Sequence, residues 1–211
     1  ENIQSHKFEA IKKIFWRNHL LSFRSEYELV NSLKQKSDNH RLILKKDAED
    51  QKFLLRFLKD NKTSFKFDNP ETLKQLWDIC RIPDYQNISD EKHIELLTKI
   101  FKELIKNKWT LSDSFLEHQT SYLQNYNGSI DDLIYNLNET RTWLYITNQK
   151  HWISNSIWVE TVKNIENKLS EEIHLSLMQK FVDKNKSEMI QNLNISKKNI
   201  SLTDNRYVKI K

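Results

Sequence analysis

One glycine, Gly128, and two prolines, Pro70 and Pro83, serve a chain of 211 residues. Tight hairpins, phosphate-cradling loops and sharp nucleophile turns draw on glycine because its backbone reaches positive φ without a steric penalty. A chain with a single such residue is left with helices and short connections. The expected fold class is therefore all-α: two abutting helical subdomains, forming a helical bundle with one long helix near the C-terminus, plus a small C-terminal β-hairpin. The same scarcity excludes chemistry. A P-loop needs glycines ahead of its lysine, and a serine elbow needs glycines around its nucleophile, so neither nucleotide hydrolysis nor acyl transfer is expected from this chain.

A lone cysteine, Cys80, allows no disulfide framework and no cysteine-based zinc site, which fits a reducing compartment. No apolar run approaches the roughly 20 residues of a spanning helix, and the N-terminus lacks a signal-peptide core. A soluble protein of the cytosol or an organelle matrix, with no membrane partner, is expected. The net charge of +5 comes mainly from lysines in a chain also crowded with asparagine and isoleucine. It fits a polyanionic partner, and equally a solvated surface.

Capping signals divide the chain. Ser25 with Glu28 opens a helix to about Lys36, Asp47 opens one through Phe53, Leu54, Phe57 and Leu58, and Asn69 before Pro70 opens a third that Pro83 stops. Ser89 opens an amphipathic helix with Ile94, Leu97, Ile100, Phe101, Leu104 and Ile105 on one stripe, and Ser112 opens the next. Gly128 is placed to end that helix as a residue of positive φ, and Ser129 with Asp132 caps its successor. From about Ser156 a pattern through Ile165, Leu169, Leu177 and Phe181 predicts one long helix, and the period then shifts to that of strands around residues 200–210. Residues 3–23 are apolar without a clean stripe. The expected organisation is a strap over 1–24, a first helical subdomain over 25–68, a main bundle over 69–193 and a hairpin tail over 194–211. Glu1 and Lys211 both read as cuts, which makes a fragment of a longer protein the expectation.

Chemical constellations are weak. Cys80 lies on an apolar helix face, where a thiol is buried and inert. Glu171 and His174 share a helix face as in di-iron bundles, but the second such pair those sites need is missing, and Asp90 with His93 falls in what reads as a solvated first turn. No metal and no catalytic residue are assigned. The six tryptophans are first of all core residues and only secondarily platforms for stacked bases.

Three stretches taken together are more specific. They are Ser5-His6-Lys7-Phe8 with Trp16-Arg17-Asn18, then Leu76 through Tyr85 (LWDICRIPDY), and finally Arg141-Thr142-Trp143-Leu144-Tyr145 leading to Ile165 through Ser170 and to Phe181-Val182-Asp183. In this order and spacing they resemble the C-terminal region of the mitochondrial-degradosome type of superfamily-two, DExH-box ATP-dependent RNA helicase, in its alphaproteobacterial form. The likeness covers about residues 3–193. The sequence departs from the family's richer arginine and alanine content, for instance at Lys184-Asn185-Lys186.

The resemblance implies a helical region, non-catalytic by itself, that packs on its own RecA-like motor domains and helps form a path for single-stranded RNA. ATP and Mg2+ would belong to those motor domains, with no cofactor in this chain and an exoribonuclease as a further candidate partner. The cations that would meet phosphates are Arg17, Arg81, Arg141, Lys168 and Lys180. The residues that would pack between domains are Phe8, Phe15, Trp16, Trp77 and Trp143. A rival reading is a protein-docking scaffold with no nucleic-acid contact, in which the exposed aromatics matter more than the cations. A third is a freestanding di-iron or hydrolytic helical enzyme.

Overall fold

The computed structural model describes residues 13–46, 48–61, 65–67, 69–87, 89–198, 200–202 and 208–210, with side chains through Ser187. The chain is mostly helical. Helix α1 (Glu26–Lys34) follows a short strand β1 (Ile14–Trp16) and precedes strand β2 (Leu42–Leu44). Then come α2 (Glu49–Asp60), α3 (Pro70–Cys80), α4 (Asp90–Lys106), α5 (Asp113–Thr120) with a 3-10 turn at Ser121–Gln124, α6 (Ile130–Thr147) and α7 (Ile157–Lys198). Strands β3 (Ile200–Leu202) and β4 (Val208–Ile210) pair antiparallel, and the residues joining them lie outside the described set.

Most helix starts follow the capping logic of the sequence. The side chains of Ser25, Asn69, Ser89, Ser112 and Ser129 each accept a hydrogen bond from a backbone N–H in the first turn of their helices. Only Ser129 completes a reciprocal box, with Asp132. At α1 the Glu28 carboxylate instead accepts from the Ser22 hydroxyl at 2.5 Å, so half of the expected box is diverted to anchor the preceding segment. Helix α2 has no side-chain cap: its N-cap is Ala48, and Asp47 lies outside the described residues. Gly128 has φ of +152°, as its position required, but α5 has already ended at Thr120. It stands directly before Ser129, where an added Cβ would come within 3.2 Å of Asp132 Cβ. Elsewhere the shortage of glycine is met with strain, since Asn87, Lys108 and Trp109 all take positive φ.

The strands β1 and β2 form a parallel pair, with Phe15 opposite Ile43. No strand was expected here. Segments of three residues carry no detectable alternation, and a parallel partner lies beyond an intervening helix.

One buried cluster runs through the molecule. Leu29 and Phe57 from the expected first subdomain, 25–68, belong to the same cluster as Leu76, Leu97, Phe101, Trp143 and Leu169 from the expected main bundle. The core therefore shows no break at that boundary. On α4, Ile94, Leu97, Ile100, Phe101 and Leu104 are buried while Ile105 is exposed, which narrows the expected stripe by one position. Helix α7 returns along α6: Arg141 meets Glu166, and the earlier Tyr126 meets the later Lys168, as antiparallel neighbours must. Burial on α7 covers Val162, Ile165 and Leu169 and fades at Ile173. The expected continuation through Leu177 and Phe181 is helical but exposed. No described helix is long and apolar enough to cross a membrane.

The core contains a polar tie. Trp152, in the α6–α7 connection, donates its indole N–H to Gln75 Oε1 on α3 at 2.9 Å, and both side chains are buried. Gln75→Leu leaves that N–H without an acceptor. Stability should fall by about 1–3 kcal/mol, seen as a lower urea midpoint at unchanged m-value. Lys74→Ala, on the exposed face of the same helix, should leave the midpoint in place.

Candidate nucleic-acid interface

The connection between α3 and α4, residues 81–87, borders several surface grooves. It is held by α4, by α6 and by bonds within itself. His93 Nε2 donates to the Ile82 carbonyl at 3.1 Å, and the Thr142 hydroxyl, 3.4 Å from both the Pro83 and the Asn138 carbonyls, shares its one proton between them. Asp84 Oδ1 accepts from the backbone N–H groups of Gln86 and Asn87, and Gln86 Nε2 donates to Glu139 Oε2 at 2.9 Å.

On one side of this connection lie two adjoining grooves. The first, about 410 Å³, is lined by Arg17, Lys45, Asp50, Arg81 and Pro83 among others, and the second, about 330 Å³, by Arg17, Asn18, His19, Trp77 and Arg81. Two cations picked out from sequence, Arg17 and Arg81, are thus brought together. Their charges are used differently. Arg17 Nη1 contacts both Asp50 oxygens, at 3.0 and 2.7 Å, and its guanidinium lies over the Trp77 ring at 5.5 Å. It clasps β1 to α2 and α3, with its charge already met. Arg81 is half exposed, and its ion pair among the described residues is with Asp78, at 3.6 Å. Lys45 is exposed and has no ion pair among the described residues.

A further groove, about 420 Å³, is lined by Tyr85, Arg141, Leu144, Tyr145, Asn148 and Glu166. Arg141 pairs with Glu166 at 3.2 Å, and Tyr85 is 46% exposed, enough ring to receive a stacked base. Lys168 sits over the Tyr126 ring at 5.6 Å and Lys180 is exposed twelve positions further along α7, roughly 18 Å away by helical rise. Neither lines these grooves.

The aromatic set also divides. Trp77 and Trp143 are buried in this chain's own core, at 6% and 0% exposure, so neither presents a face to a separate domain. Phe15 is 72% exposed, Trp16 is half-buried, and Phe8 lies outside the described residues. Lys45 and Tyr85 line these grooves without having been picked out from sequence. Tyr85 alone carried a sequence signal, as an aromatic in a proline-bounded connection; Lys45 was one lysine among many.

Cys80 is buried, and burial pushes its thiol up, away from the reactive thiolate. Glu171 and His174 are both exposed on α7, and no group of three His, Cys, Asp or Glu side chains could hold a metal among the described residues. His93 is not solvated as its place in a first turn suggested. It is buried against Phe53, with ring centroids 4.6 Å apart.

Comparison with protein-family models, with curated proteins and with solved structures finds no match to this chain.

Burial holds the His93 pKa below its ordinary value near 6.5, against the opposing pull of Asp84, Glu49 and Asp90. The folded state thus takes up a proton at lower pH than the unfolded state. Stability from this group is fully present above about pH 6.5 and declines as pH falls from there toward the folded pKa. His93→Gln can keep a donor for the Ile82 carbonyl while removing the titration. Denaturation midpoints between pH 7 and pH 5 should show a shallower decline in the variant, by at most about 1.4 kcal/mol per pH unit.

Proposed function

We propose that this chain is the non-catalytic helical region of an ATP-dependent RNA helicase and holds single-stranded RNA across the 81–87 connection. The observation that supports this reading is the placement of Arg81 and Lys45 on one side of that connection and of exposed Tyr85 with Arg141 on the other. Arg81 and Tyr85 are four residues apart, at most about 14 Å along the chain. A cation row beside a stacking ring is what a strand of unspecified sequence needs: phosphates give affinity and the aromatic face accepts any base.

On this reading the RecA-like motor domains, with ATP and Mg2+, belong to other polypeptide, and this region supplies part of the strand's path. Residues 25–68 and 69–193 are then two abutting helical subdomains sharing a core, β3 and β4 close a hairpin, and an exoribonuclease is a partner of the assembled enzyme. Lys168 and Lys180 would extend the cationic surface along α7.

A second reading, a protein-docking scaffold without RNA contact, is favoured by the exposure of Phe15 and, on the distal half of α7, of Leu175, Met178 and Phe181. The two separate cleanly. Labelled single-stranded RNA is titrated against the chain and against a Lys45→Gln, Arg81→Gln, Arg141→Gln variant across a salt series. The RNA reading expects weaker binding and a log–log salt slope shallower by about 2, at roughly 0.7 per lost phosphate contact. Identical affinity and slope for both proteins would sink it and leave the scaffold standing.

A further inference from the structure

Helix α7 carries two apolar faces. At 3.6 residues per turn, Leu175, Met178 and Val182 lie roughly 140° around the helix from Val162, Ile165 and Leu169, which seal its first half to the bundle. The second set therefore does not continue the first. Its members are 51%, 52% and 46% exposed, and Phe181 beside them is 66% exposed. Their spacing of three and four residues makes a stripe that fits against another helix.

Charged side chains frame this stripe. Glu172 flanks it near its start, and Lys186 flanks the same side near its end, roughly 21 Å further along by helical rise. Glu172 is half-buried and Lys186 exposed, and neither forms an ion pair among the described residues. These two charges decide the direction of a partner helix. A parallel copy of α7 would set Glu172 against Glu172 and Lys186 against Lys186, like charges at both ends. An antiparallel copy, in register around residues 179 and 180, sets Glu172 of each chain against Lys186 of the other. The same register lays Met178 of each chain beside Val182 of the other and brings the two Phe181 rings together. One surface then serves as both halves of the contact, and a two-fold axis closes it after two chains.

We infer that the distal half of α7 is a homodimerisation surface, on which a second copy of this chain lays the same helix antiparallel. A foreign helix would need the complementary charge order in its own sequence, whereas a second copy has it by symmetry. The inference does not rest on the RNA reading, and it names an occupant for the α7 face on which the scaffold reading draws. The stripe is short, which places the dimer at the weak end of specific interfaces.

The test is sedimentation equilibrium of the intact chain from micromolar to near-millimolar concentration. The chain should pass from one copy to two and stop there. Met178→Glu should weaken association by at least about tenfold, because it buries two charges at the centre of the contact. Glu172→Lys and Lys186→Glu should each weaken it by about tenfold, since symmetry makes every single reversal two like-charged pairs. Combined in one chain, the two reversals should restore the original association. All these positions lie at the surface of the single chain, so circular dichroism should be the same for every variant. A chain that stays monomeric throughout overturns the inference and leaves the face to a different protein. Association that survives Met178→Glu overturns it by placing the contact elsewhere. Single reversals without effect, or a double reversal that fails to restore, overturn the antiparallel pairing. No RNA is present and no variant touches the grooves, so failure of the RNA reading would show only in the titration of the Lys45, Arg81 and Arg141 variant.

Discussion

The surface of this protein depends on how residues 81–87 are pinned. A helix-to-helix connection of that length would ordinarily be among the more mobile parts of a small bundle. Here buried His93 and Thr142 hold its carbonyls, Asp84 ties its own backbone, and Gln86 reaches α6. Ile82 adds an apolar anchor at 1% exposure. Each of the grooves bearing Arg81 or Tyr85, and the cavity at Glu139, takes part of its wall from this stretch. Loosening it would disturb all of them together.

Much of the fold was legible because helix starts are local events. Ser25, Asn69, Ser89, Ser112 and Ser129 act on N–H groups two or three residues away, and such short offsets leave a readable trace. What escaped was non-local. The pairing of Ile14–Trp16 with Leu42–Leu44 spans α1. The exposure of Leu177 and Phe181 follows from α7 running on past the start of α6, which no pattern within α7 reveals. His93 was misplaced for the same reason: a first-turn position is solvated only if no neighbour covers it, and Phe53 from α2 does.

The candidate site was legible in its ingredients and opaque in its balance. Arg17 and Arg81 share grooves, but charge counting could not show that Arg17 is committed to Asp50 and Trp77 while Arg81, beside Asp78 at 3.6 Å, stays half exposed. Trp77 and Trp143 carry the same lesson for aromatics, since a tryptophan on an apolar stripe is consumed by the nearest core. Tyr85 and Glu139 gain their roles only when α6 is laid beside the 81–87 connection.

Helix α7, 42 residues long, passes from one mechanical regime into another along a single continuous rod. Its first four turns are welded to the bundle through Val162, Ile165 and Leu169, and Trp158 donates to Asp113 at the foot of α5. Beyond Ile173 the described side chains up to Ser187 are mostly exposed, so the backbone amides there answer more to local fraying than to collapse of the whole molecule. A load applied at the far end would therefore act on the bundle as a lever whose fulcrum is the last buried turn.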